Sequence, residues 1–270
     1  MKRLFKRSGW LFPCLFPAVL AGVGMVLTAC SAKTYPTVAN GPGGGGLSTV
    51  LGAGDVAFVA VASRGANFND QFAAVILKPI NAGTTLIFTA ANSTQNGAGF
   101  QSTESNLTWV AGRDFPAGSV FELFDGDPMP VTVFANGTAY DQTANVDSND
   151  GDFGMSKNGD NLFAIQGSLS NPTFLAGIVL GGNGNSLTWG GTDDNGRVEY
   201  LPPSLTKGTN ANSLDTYSYG YYDCSKTTAG TVAQLDAAIN NPANWTGLQD
   251  DSNLDLNPFD DVLSCTIVPE

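Results

Sequence analysis

Asp55-Val56-Ala57-Phe58-Val59-Ala60-Val61 and Phe72-Ala73-Ala74-Val75-Ile76-Leu77 are near-continuous apolar runs of strand length, with Gly, Asn and Asp between them. A strand with one wet face alternates apolar and polar residues, so runs without alternation predict strands covered on both faces. Thr84-Thr85-Leu86-Ile87-Phe88-Thr89 follows a Pro-Ile-Asn-Ala-Gly turn and predicts a third strand. Leu107-Thr108-Trp109-Val110, Ser119-Val120-Phe121-Glu122-Leu123 and Val131-Thr132-Val133-Phe134 alternate more and predict strands with one wetter face. Residues 161–166, 174–180 and 217–222 add further candidates. Many short strands at this spacing predict an all-β fold, a β-sandwich of immunoglobulin-like or lamin-tail-like kind.

One short C-terminal helix interrupts the pattern. Val232, Leu235 and Ile239 fall on one helical face, a threonine stands at Thr231 as cap, and Asn240-Asn241-Pro242 ends the run. It lies between Cys224 and Cys265, and so is expected to pack on the sandwich within a covalent loop.

The chain opens differently. Lys2, Arg3, Lys6 and Arg7 precede an apolar run over 9–26 that closes on Leu27-Thr28-Ala29-Cys30. A positive start, an apolar stretch and small residues before a cut site are the marks of a secretory signal. The last four residues resemble a lipobox, which implies a bacterial lipoprotein with acyl chains (palmitate or similar) on Cys30 as its first mature residue. Pro13, Pro17, Gly22 and Gly24 make the same run a poor permanent span. Ser31 follows the lipid cysteine where similar proteins retained at the inner membrane carry Asp, which favours the outer membrane, on its periplasmic or cell-surface face.

The signal carries four of the twelve Lys and Arg and none of the twenty-four Asp and Glu, so eight cations face twenty-four acids in the mature chain, a formal charge of −16. Such a surface repels nucleic acid and anionic headgroups. There is no histidine, which excludes Ser-His-Asp and Cys-His catalysis and His-rich zinc sites. Of the four cysteines, Cys14 leaves with the signal and Cys30 takes lipid, so Cys224 and Cys265 are expected to form a disulfide in an oxidising compartment.

Residues 30–53, with Gly41-Pro42-Gly43-Gly44-Gly45-Gly46 at their centre, have no core-forming residues in number. They read as a tether with a reach on the order of 25–30 Å. The domain plan is therefore a signal over 1–29, a lipidated tether over 30–53 and a single sandwich over 54–270.

Several longer stretches resemble a group of secreted bacterial β-domain proteins. These are residues 54–89, then Gly159-Asp160-Asn161-Leu162-Phe163-Ala164-Ile165-Gln166-Gly167-Ser168, Leu201-Pro202-Pro203-Ser204-Leu205, and Ala237-Ala238-Ile239-Asn240-Asn241-Pro242-Ala243-Asn244-Trp245-Thr246. The resemblance implies an accessory β domain and carries no catalytic residue set. That group continues its third strand as Phe-Thr-Asp, whereas here Phe88-Thr89 runs on into Ala90-Ala91-Asn92.

Three kinds of site remain open. Asp147, Asn149, Asp150 and Asp152 put several oxygen donors in one loop, either a solvated turn or a calcium site, calcium being the one cofactor the residues suggest. Tyr217, Tyr219 and Tyr221 would share one strand face and could stack on sugars, with Trp109, Trp189 and Trp245 as further aromatics. Glu104, Glu122, Asp125, Asp127 and Glu199 supply carboxylates for histidine-free glycoside hydrolysis. The reading is a lipid-anchored envelope protein whose sandwich binds a polysaccharide or an envelope protein or serves as a structural module. A carboxylate- or calcium-dependent hydrolase of extracellular polysaccharide is the alternative.

Overall fold

The computed structural model describes residues 37–38, 47–63, 70–101, 104–124, 129–148, 153–182, 185–193, 196–248 and 265–270. The signal, Cys30 and most of the tether lie outside these residues. The strands in chain order are β1 (Thr37–Val38), β2 (Val56–Ala62), β3 (Gln71–Ile76), β4 (Thr85–Thr89), β5 (Asn106–Val110), β6 (Ser119–Phe124), β7 (Val131–Ala135), β8 (Thr138–Asp141) and β9 (Val146–Ser148). They continue as β10 (Asp160–Ser168), β11 (Asn171–Leu180), β12 (Ala211–Ser213), β13 (Tyr219–Tyr222), β14 (Ala229–Gly230), β15 (Trp245–Leu248) and β16 (Val268–Pro269), with helix α1 (Val232–Ile239) before β15.

Two sheets form a sandwich. One has the order β1-β8-β7-β6-β3-β2-β13-β15 and the other β12-β11-β10-β4-β5-β9, while β14 and β16 pair apart from both. Phe58, Phe72, Phe88, Phe121 and Trp109 fill the space between them, with Phe88 and Phe121 rings 4.7 Å apart and Trp109 and Phe121 5.1 Å apart. The all-β sandwich with one short helix expected from the apolar runs is what the chain forms.

The runs of β2 and β3 lack alternation because both of their faces are covered. Val56, Phe58 and Val61 point into the inter-sheet core, while Ala57, Val59, Ala60 and Ala62 point outward under α1. The period of two breaks at Val59, where the pairing with β3 shifts register: a bulge puts two successive residues on the outer face. On the other sheet the shift at Ala164/Ile165 leaves Leu175 and Ala176 both facing inward. Phe163, Ile165 and Phe174 face outward beneath Leu205.

The helix forms where the spacing predicts it. Thr231 Oγ1 accepts from the Gln234 backbone N–H, and the Gln234 side chain accepts from the Thr231 N–H, closing a capping box. Leu235 and Ile239 are fully buried against β2, and the Cys224–Cys265 disulfide, Cα atoms 5.8 Å apart, encloses the helix. Asp236 shares this buried face.

The last residues before 54 contact the sandwich. Gln166 holds the chain from both sides, Oε1 accepting from Leu51 N at 2.9 Å and Nε2 donating to Thr49 O at 2.9 Å, and Leu51 is buried in the core. Thr49 and Leu51 therefore pack with the sandwich. Earlier still, Thr37 and Val38 pair in parallel with Ala139 and Tyr140 on the edge of the larger sheet.

Candidate functional site

Polar residues gather at one end of the sandwich, where the end of β4, the start of β10 and the segment after β11 meet. Asp160 opens β10. Its Oδ2 accepts from Ser156 N at 2.6 Å and its Oδ1 from Asn161 N at 2.8 Å, so a five-residue turn folds around the carboxyl. Beside it, residues 188–193 and 196–200 pair as the two arms of an irregular hairpin: Gly190 N donates to Glu199 O, Glu199 N to Gly191 O and Asp193 N to Arg197 O, with a bridge between Thr192 and Val198. Residues two apart on extended chain share a face, so Arg197 and Glu199 are presented together.

Asn92, just past β4, joins the two elements. Its Nδ2 donates to Glu199 Oε1 at 2.6 Å and reaches Asn161 Oδ1 at 3.4 Å, and its Oδ1 accepts from Arg197 Nη1 at 3.2 Å. Asn161 is held in turn by its Nδ2 bonds to Ala90 O and Ala91 O. Arg197 also pairs with Glu104, and its Nε lies 3.6 Å from Asp193 Oδ2. Deeper in, Asp70 Oδ2 accepts from Met155 N.

A cleft of about 310 Å³ opens over this network, lined by Glu104, Ser105, Gly154, Ser156, Gly159, Asp160, Asp193 and Arg197. That volume suits a small ligand. Glu199 lies behind the lining, fully buried, and its Oε2 has no hydrogen-bond partner among the described residues. A buried acceptor left unmatched is costly, of the order of 1–3 kcal/mol.

Burial dominates the acid–base behaviour here. It pushes Glu199 up to about 7, helped by the Asp193 charge and opposed by the Asn92 hydrogen bond and by Arg197. It raises Asp160 well above the usual carboxyl range, against the N–H donors of Ser156 and Asn161 and together with the charges of Glu199 and Asp70. Near neutral pH Glu199 is thus poised between acid and carboxylate, and burial favours the protonated form of Asp160 beside it.

Of the expected carboxylates, the structure brings Glu104 and Glu199 together through Arg197 and adds Asp160, Asp193 and Asp70. Glu122 is on β6, paired opposite Ala73 and Thr132 in the other sheet, and does not join them. Asp125 and Asp127 lie outside the described residues. So do Asn149, Asp150 and Asp152, while Asp147 is exposed on β9. Among the described residues no group of three His, Cys, Asp or Glu is arranged to hold a metal ion.

The tyrosine row is corrected. Tyr219 is buried at 1 % exposure beneath α1, together with Tyr222, whose OH donates to Thr227 O at 2.7 Å. Tyr221 is partly buried against the same cluster, and Tyr217 is in the turn before the strand, its N–H bonded to Leu214 O. The helix and the C-terminal peptide cover Tyr219, whereas Tyr217 stays exposed, so the three rings do not form one open face. Trp109 is core, and Trp189 and Trp245 are tied down by Nε1 bonds to Asn212 O and Ile239 O.

The chain matches no known protein-family model, no curated protein and no solved structure.

Proposed function

We propose that this is a lipid-anchored protein of the outer membrane whose β-sandwich is a ligand-binding module, with the acidic cleft as its site. The observation that carries the binding half is the cleft itself: three carboxyl groups and a guanidinium line it, and Glu199 is buried behind with an unmatched oxygen. A cluster that existed only for stability would be cheaper without that oxygen. The anchoring half is supported by the Leu27-Thr28-Ala29-Cys30 run after its basic and apolar stretches, and by the resemblance to secreted β-domain proteins. Two or three acyl chains hold a protein on a bilayer far longer than one, since each buried CH₂ contributes roughly 0.8 kcal/mol.

A second reading has one observation in its favour. Asp160 at the cleft wall and Glu199 behind it are both held protonated well above the usual range, as a general acid requires. Binding accounts better for the geometry, because each Asp160 oxygen already accepts a backbone N–H and is fixed within its turn.

Growth of cells expressing the protein with an alkyne-tagged palmitate tests the anchor. The wild-type chain should be labelled and sediment with membranes, and Cys30→Ala should lose essentially all label. Equal labelling of Cys30→Ala would refute acylation at that residue.

A further inference from the structure

Arg197 shows what this cleft accepts. Its guanidinium is met by Glu104, by Asp193 and by the Asn92 side-chain oxygen. Around it the lining remains rich in acceptors: Asp160 is a wall, the exposed Gly154 lies beside it, and no aromatic ring is among the described lining residues. Sugars are commonly held by stacking on such rings, so this lining does not favour them. An anion would meet three carboxyl groups. Behind the lining, on the same face of the hairpin as Arg197, Glu199 Oε2 is a fully buried acceptor with nothing among the described residues donating to it. Sealed there, Glu199 acts on the cleft through its charge.

We infer that the cleft is a site for an organic cation, an amine or guanidinium group, which enters beside Arg197 and is held by Glu104, Asp193 and Asp160, with the charge of Glu199 behind them. The inference rests on the cleft being the binding site proposed above. The cation has two sources of the same chemistry: a free small amine, or the side chain of a basic residue on a partner. The strongly acidic mature chain would concentrate either one near the cleft.

A proton balance follows. The charged groups facing Glu199 and Asp160 are Asp70, Glu104, Asp193 and Arg197. A bound cation favours the ionised form of the buried acids, so binding drives protons off them and is stronger at higher pH. In reverse, protonation at low pH expels the ligand.

Isothermal titration tests this on the soluble mature domain, starting at residue 31, with agmatine, an end-blocked glycine–arginine–glycine peptide and cellobiose as probes. Agmatine or the peptide should bind, with affinity falling roughly 10-fold for each pH unit over which one buried acid takes up its proton, and with heats that depend on the buffer because protons are released. Binding by agmatine identifies a free amine, and binding by the peptide alone identifies a basic partner. Glu199→Gln, which matches the protonated acid in shape and keeps an acceptor for Asn92, should fold as the wild type, weaken binding about 10-fold and flatten its pH dependence. Cellobiose binding that Glu199→Gln weakens, with silence from both cations, would overturn the cation and leave the binding cleft standing. Silence from all three probes would overturn both. Cation binding that is independent of pH and unaffected by Glu199→Gln would place the cation elsewhere and also overturn the inference.

Discussion

The melting temperature of the soluble domain should fall as pH rises from about 5 to about 8.5, and Asp236→Asn should remove a large part of that fall. Asp236 lies on the buried face of α1 at 4 % exposure, where its Oδ1 accepts from Asn240 Nδ2 at 2.8 Å. Its Oδ2 lies so near the left-handed turn at Gly54 (φ +86°) that a Cβ there would be 2.5 Å from it. Burial pushes Asp236 up to about 8, the Asp55 charge adds to this, and the Asn240 bond opposes it. Unfolded, an aspartate ionises near 3.9. Below that value both states are protonated and the fold keeps its full contribution from this residue. Between about 4 and 8 the unfolded chain gives up its proton and the folded chain does not, so stability declines with each pH unit, by at most about 1.4 kcal/mol. Above 8 the loss is complete. Glu199 acts in the same direction up to about 7, and Asp160 likewise.

Relaxation and partial hydration reduce the ideal value, so on the order of 2–4 kcal/mol is expected from Asp236. At roughly 2–4 °C per kcal/mol for a chain of this size, that is about 10 °C. Asparagine keeps the acceptor for Asn240 and cannot ionise, so the melting temperature of Asp236→Asn relative to wild type should rise steadily from pH 5 to pH 8.5. Parallel melting curves across the range would refute the buried acid.

Breaking the Cys224–Cys265 bond, by Cys224→Ala with Cys265→Ala, should lower stability by about 4 kcal/mol in the chain-entropy model for the 41-residue separation. The local structure adds a reason for the loss. The bond ties the strap 265–270 to the body, where Ile267 packs with Leu235 and Ile239 under the helix and Val268 and Pro269 pair with Ala229 and Gly230. Ile267 O packs so closely on Gly118 that a Cβ there would be 2.1 Å away. Without the bond the strap can leave, exposing the outer face of β2 and β3. Thermal melting should show a drop of roughly 10 °C, and hydrogen exchange should speed up first at residues 229–239. An unchanged melting temperature would mean that the strap holds without its covalent tie.

Legibility in the sequence followed pattern strength. The unbroken apolar runs of β2 and β3 told of two covered faces, and the Thr231 cap with Val232, Leu235 and Ile239 told of the helix, because those signals are local. The bulges at Val59 and Leu175 leave no local mark, since alanine and valine suit either face. Strands β8, β9, β12 and β15 are short and sit at or beside sheet edges, where pairing comes from neighbours. Asp236 was hidden because a charged residue beside an apolar stripe usually faces water. The cleft was least legible: Asn92, Glu104, Asp160 and Glu199 are far apart in the chain and meet only through the topology. Asn92 gave the one available hint, as a polar residue directly after an apolar strand. The tyrosine period was real, but it pointed under the helix.

Carbon-detected NMR of the Glu199 side-chain carboxyl, titrated with and without agmatine, tests the central claim most directly. A midpoint near 7 in the free protein that moves lower when agmatine is bound is the predicted result. A midpoint in the ordinary glutamate range, or one that agmatine leaves in place, would contradict the cleft as a site built around a buried, switchable acid.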